Sequence, residues 1–131
     1  MCLDDNRDPT LATFLRIVLS TQVLETFNMS ETTASVTASM FYDYQADPES
    51  KGAPLPCNEI KLVDAPEYSL TAEDKPNPRG YIWVRGNNVF SEYYQDMDAT
   101  LEILDSDGWL VTPYLGEILP NGTLKVIGKM K

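Results

Sequence analysis

Apolar residues line one side of a helical wheel in "DPTLATFLRIVLS" (8–20), where Leu11, Phe14, Leu15, Val18 and Leu19 recur at three- and four-residue spacing. Asp8 can cap the first turn, and Pro9 takes a first helical position whose NH needs no partner. The pattern predicts an amphipathic helix. "TQVLETF" (21–27) reads as a short strand feeding the Thr/Ser-rich stretch "NMSETTASVTAS" (28–39). Its hydroxyls compete with regular backbone pairing and predict a loop. "DPESKGAPLP" (47–56) carries Gly and Pro punctuation and reads as turn and linker.

Beyond it, "NEIKLVDA" (58–65) and "YIWVRG" (81–86) are β-rich runs separated by the polar, proline-containing "PEYSLTAEDKPNPRG" (66–80), read as a surface loop. Met97, Leu101 and Leu104 align in "DMDATLEILD" (96–105) and predict a short helix. "GWLV" (108–111) and "LGEIL" (115–119) read as two short strands. "PNG" (120–122) then turns into "TLKVIG" (123–128), because Asn-Gly accepts the positive φ of a tight hairpin turn. The sum is an α+β, strand-rich chain with two short helices.

Composition narrows the chemistry. At 131 residues the chain suits one domain able to bury roughly two-thirds of its extended surface. A net charge of −10 argues against non-specific nucleic-acid binding, which needs clustered Lys and Arg, so nucleic acid is not an expected partner. With no histidine anywhere, Ser-His-Asp and Cys-His catalysis and imidazole metal sites are excluded. Cys2 and Cys57 form neither a disulfide framework nor a zinc spacing, which makes a reducing compartment the default expectation. No apolar run is long enough for a transmembrane helix, and "MCLDDNRDPT" is acidic, unlike a signal peptide. "NMS" and "NGT" fit the glycosylation sequon without a secretory signal to support them. Trp83 and Trp109 are read as packing residues.

Four segments, "FLRIVLSTQVLETFNMSETTASVTAS", "GAPLPCNEIKLVDAPEY", "NPRGYIWVRGNNVFSEYY" and "DGWLVTPYLGEILPNGTLKVIGKMK", follow one another in an order and spacing that resembles the AMP-forming acyl-CoA synthetases. "GAPLPCNEIKLVD" is similar to the long-chain fatty-acid–CoA ligase branch. The resemblance implies a partial large domain of an adenylate-forming enzyme over residues 13–131, including much of its small β-barrel subdomain. The resemblance leaves residues 1–12 as an expected non-matching extension and implies that the end of the chain falls at the hinge to a C-terminal domain. The family's Ser/Thr/Gly-rich, lysine-containing phosphate loop has no counterpart in these residues, and its adenylation lysine would follow Lys131.

The resemblance also assigns candidate site residues. In "TFNMSE", Phe27 keeps the aromatic that lies beside adenine, Ser30 a phosphate-touching hydroxyl and Glu31 the Mg²⁺-binding carboxylate. Thr26 and Asn28 replace the flanking glycines. The family's Gly-Trp-x-x-Thr-Gly-Asp becomes Gly108, Trp109, Leu110, Val111, Thr112, Pro113 and Tyr114, so a phenol replaces the ribose-binding aspartate. Lys129 stands for a ribose-contacting arginine and Gly128 for the hinge aspartate. Tyr81 and Asn87 replace a glutamate and a proline, and Glu92 stands where glycine is common.

What the resemblance implies for function is activation of a fatty acid by ATP and Mg²⁺ to acyl-adenylate, then thioester formation with CoA. The isolated chain is expected not to catalyse this, and a non-catalytic nucleotide- or protein-binding remnant remains the alternative. Fatty acid, ATP and CoA are the implied partners, together with a protein partner over exposed apolar surface. The implied location is cytoplasmic or peripheral to endoplasmic reticulum, peroxisome or lipid droplet.

Overall fold

The computed structural model describes residues 9–42, 47 and 49–130. The Asp8 cap lies outside them. Helix α1 (Pro9–Leu19) forms as the spacing predicts, but it packs lightly. Ala12 and Leu15 meet Val23, and the Arg16 guanidinium donates to the Val23 carbonyl (3.1 and 3.4 Å). Phe14, Ile17, Val18 and Leu19 each keep more than half of their surface exposed, so most of the predicted apolar stripe is uncovered.

The region read as strand, loop and linker folds into one three-stranded antiparallel sheet, in the order β1 (Thr26–Asn28), β2 (Ser35–Ala38), β3 (Ala53–Pro54). The strand predicted from residue 21 is confined to its last residues, and a strand occupies the expected loop. Hydroxyls that compete with backbone pairing in isolation are here bonded across strands. Thr37, fully buried, donates to the Lys51 carbonyl (2.6 Å) and accepts from the Phe27 NH (3.3 Å). The expected linker is also partly interior, because Ser50, Lys51 and Gly52 are buried. Lys51 reaches the equally buried Glu25 carboxylate at 3.1 Å.

A second sheet is an antiparallel meander of β4 (Asn58–Val63), β5 (Arg79–Gly86), β6 (Leu110–Ile118) and β7 (Leu124–Lys129). "GWLV" and "LGEIL" are one strand, not two. Helix α2 (Met97–Ile103), capped by the Asp96 carboxylate on the Ala99 NH, precedes β6 and leaves Met97 and Leu101 exposed. The expected barrel is not present. Strands β4 and β7 are the outer strands of an open sheet, and neither sheet closes among the described residues. Closure needs enough tilted, staggered strands for the first to pair with the last, and this four-stranded meander does not reach that arrangement. No helix among the described residues is long and apolar enough to cross a membrane.

Phe27 and Val36 of the first sheet pack with Ile82, Val84 and Leu124 of the second in one buried cluster. Backbone bonds from Lys51 NH to the Leu124 carbonyl (2.7 Å) and from Leu124 NH to the Gly52 carbonyl (2.9 Å) tie the sheets together. Gly52 has φ +85°, and a Cβ there would collide with the Ala38 backbone carbonyl.

Replacing Gly52 with alanine should destabilise the chain by about 2 kcal/mol or more in urea unfolding. Gly128→Ala should instead be neutral or stabilise by about 0.4–1 kcal/mol, since its added Cβ would meet only the Leu115 side chain at 3.7 Å. Lys51→Met should cost about 3–5 kcal/mol by stranding the Glu25 carboxylate, and adding Glu25→Leu should recover most of that loss.

Candidate functional site

A β-bulge shapes the site. Between the pairs Trp83–Val111 and Tyr81–Leu115, β5 advances two residues while β6 advances four. Extra residues in one strand leave the ladder and redirect their side chains. Pro113 sits in this bulge, where its missing NH costs no ladder bond. The Ile82 carbonyl opposite is satisfied by the Thr112 hydroxyl at 2.7 Å. The Pro113 carbonyl faces β7's end and accepts from the Met130 NH at 2.8 Å.

This distortion turns Pro113 and Tyr114 toward a cleft of about 580 Å³. Its far wall runs from Asn28 at the end of β1 through Met29 into a single 3-10 turn (Ser30–Thr32) that carries Ser30 and Glu31. A strap from Asn88 to Tyr93 fixes that wall. The Asn88 side chain donates to the Thr32 carbonyl (2.9 Å), the Thr33 hydroxyl to the Asn88 carbonyl (2.8 Å), and the Phe90 NH to the Glu31 carbonyl (2.8 Å). The Tyr93 hydroxyl donates to the Glu31 carboxylate at 2.7 Å. That bond, with burial adding to it, pushes the Tyr93 phenol up to about 12, so it remains a proton donor near neutral pH.

Four of the sequence-derived candidates, Ser30, Glu31, Tyr114 and Lys129, line this cleft together. Lys129 pairs with Tyr114 across β6 and β7, and its ammonium lies 5.2 Å from the Tyr114 ring centroid. Two candidates lie beneath the surface instead. Phe27 is fully buried in the core and meets the Tyr114 ring edge-on at 5.2 Å between centroids. Thr112 is fully buried, with its hydroxyl committed to Ile82 and also accepting from the Tyr114 NH (3.3 Å). Gly128 lies within β7, paired with Leu115. Of the two residues standing for glycines, Asn28 faces the cleft, whereas Thr26 is buried.

Sequence reasoning missed Tyr93 and Glu102, both in the cleft wall. Glu102 follows the predicted helical register of α2, but no motif marks it. Tyr93 becomes meaningful only through its long-range partner, 62 residues away.

No group of three or more His, Cys, Asp or Glu side chains that could hold a metal exists among the described residues. The donor set nonetheless suits Mg²⁺, which takes one or two carboxylates and completes its oxygen shell with phosphates and water. Glu31 and Glu102 supply carboxylates and Ser30 a hydroxyl to the cleft lining. The Lys129 ammonium lines the same cleft, beside Tyr114.

Residues 2–94 match the family of AMP-binding enzymes. The chain is 47% identical over 123 residues to human long-chain-fatty-acid–CoA ligase 6, covering 94% of this chain and 17% of that protein. It is 44% identical over 123 residues to the peroxisomal long chain acyl-CoA synthetase 7 of Arabidopsis thaliana, with the same coverage of 94% and 17%. The chain thus spans 17% of the length of these curated relatives. Among solved structures, the A domain of the carboxylic acid reductase from Segniliparus rugosus, in complex with AMP and a co-purified carboxylic acid, shares the fold. Its TM-score is 0.79 at 20% identity, covering 98% of this chain and 19% of that one. Matched over most of its residues, the chain belongs to the AMP-binding enzymes and is closely related to the long-chain fatty-acid–CoA ligases.

Proposed function

We propose that this chain supplies one wall of an adenine-nucleotide site of the long-chain fatty-acid–CoA ligase type, and that alone it does not form acyl-CoA. The supporting observation is convergence. Ser30 and Glu31 from one end of the chain meet Tyr114 and Lys129 from the other across a single cleft. These are the positions the resemblance assigns to phosphate, Mg²⁺ and ribose. In the ligase reaction a fatty-acid carboxylate attacks the α-phosphate of ATP, releasing pyrophosphate. The CoA thiol then takes the acyl group from the adenylate, releasing AMP.

The chain's own residues bind and orient. Glu31 and Ser30 would hold Mg²⁺ beside the phosphates, where the ion supplies charge neutralisation. Lys129 provides a point charge near the ribose without the planar fork of arginine. Tyr114 cannot accept hydrogen bonds from two ribose hydroxyls as a carboxylate does. Loss of a charge-assisted bond costs on the order of 1.5–3 kcal/mol of binding. Nucleotide binding is therefore weak, and none of these residues supplies an adenylation lysine. The exposed Phe14, Ile17, Val18 and Leu19 face of α1 supports contact with further protein. The peroxisomal designation of the Arabidopsis relative supports a setting at that organelle.

Incubation with ATP, Mg²⁺, palmitate and CoA should release no AMP above background, and sustained AMP formation would refute the non-catalytic reading. ATP with Mg²⁺ should raise the melting temperature, with about 2.7 kcal/mol of stabilisation when ligand reaches a hundred times its dissociation constant. No shift at millimolar nucleotide would remove the binding role. Tyr114→Asp should tighten AMP by about tenfold or more while far-UV circular dichroism reports the fold intact. Unchanged affinity in a folded variant would take Tyr114 out of the ribose position.

A further inference from the structure

We propose that Tyr93 is a positioning residue that sets the Glu31 carboxylate for divalent-cation binding, and that α2 relays this placement. The inference rests on the nucleotide-site reading above and extends it to a residue outside the sequence candidates.

A glutamate on a short turn has three side-chain torsions to fix, and Glu31 sits at the surface of the cleft, only partly buried. Its carboxylate is oriented by the Tyr93 hydroxyl, donated to Oε1 at 2.7 Å. One donor on one oxygen leaves Oε2 open to a cation. Tyr93 is itself held from two directions. Its backbone NH donates to the Thr100 hydroxyl of α2 at 2.9 Å, and its ring meets Phe90 at 4.8 Å between centroids. Thr100 is buried and its hydroxyl donates to the Asp96 carbonyl at 2.8 Å. Phe90 returns to the same target through its NH, which binds the Glu31 main-chain carbonyl. Both the backbone and the carboxylate of Glu31 are thus fixed by one strap whose far end is anchored on α2. Partners that hold a ligating carboxylate commonly tune metal affinity by about 10–100-fold.

Two measurements on the full chain test this. Tyr93→Phe removes only the hydroxyl and keeps the ring. It should weaken ATP binding in Mg²⁺ by about tenfold, read by calorimetry, while AMP binding in EDTA changes by less than threefold. Equal loss for both ligands, or no loss for either, overturns the positioning role. A ligand-free measurement separates this claim from the nucleotide reading. Three-bond couplings of Glu31 by NMR should show one dominant side-chain rotamer in the parent chain and averaging in Tyr93→Phe. A single Glu31 rotamer in both would overturn the proposal even if nucleotide binds. Absence of nucleotide binding to the parent chain, with the rotamer difference present, would sink the nucleotide reading alone.

Discussion

The structure depends on one contact, the burial of Phe27 and Val36 from the small sheet against Ile82, Val84 and Leu124 of the meander. Each such side chain contributes roughly 1.5–3 kcal/mol when fully buried, well above what any surface hydrogen bond here adds. The same contact fixes the functional geometry. Asn28 to Glu31 follow directly from Phe27, and Tyr114 packs on the Phe27 ring. Packing the two sheets therefore sets the width of the cleft between the carboxylate wall and the β6–β7 wall.

Within that frame the bulge of β6 links stability to chemistry. A regular strand through residues 111–115 would alternate its side chains and require an NH at position 113. The extra residues relieve both demands, and the Thr112 hydroxyl replaces the lost partner of the Ile82 carbonyl. Thr112 thus stabilises the bulge from below while its neighbours face the cleft. Threonine here combines a hydroxyl donor with a shape that fits a fully buried site.

Local patterns were legible where one face repeats. Helices α1 and α2, the β4 and β5 runs and the Asn-Gly turn, with Gly122 at φ +80°, follow from spacing and turn chemistry. The Thr/Ser stretch misled because hydroxyl competition is a local effect, and Thr37 resolves it with Phe27 and Lys51, partners distant in sequence. Lys51 and Gly52 looked like linker because glycine and prolines punctuate residues 47–56. Nothing nearby announces the Glu25 partner 26 residues away or the Leu124 strand that covers them. Of the site, Ser30, Glu31, Tyr114 and Lys129 were readable through motif order. The Tyr93–Glu31 bond was not, since it joins segments whose proximity exists only after both sheets pack. Barrel closure was inferred from the family resemblance, and strand pairing alone decides it.

Tyr114 shows how the packing of the core reaches the cleft. A carboxylate at this position would sit half-buried against the Phe27 ring edge and beside Met29, and would carry a desolvation cost. Tyrosine reverses the balance. Its ring extends the apolar cluster, and it also offers a face to the Lys129 ammonium, a contact of about 0.5–1 kcal/mol where solvent remains. Tyrosine at this position therefore favours folding, because its ring packs on the core and meets a cation. Glu31 remains a carboxylate under a different constraint. It is partly buried, held by a tyrosine hydroxyl, and outside the apolar cluster. The two walls of the cleft are thus built differently. On one, Glu31 is held by a tyrosine hydroxyl, and on the other, Tyr114 adds its ring to the apolar cluster.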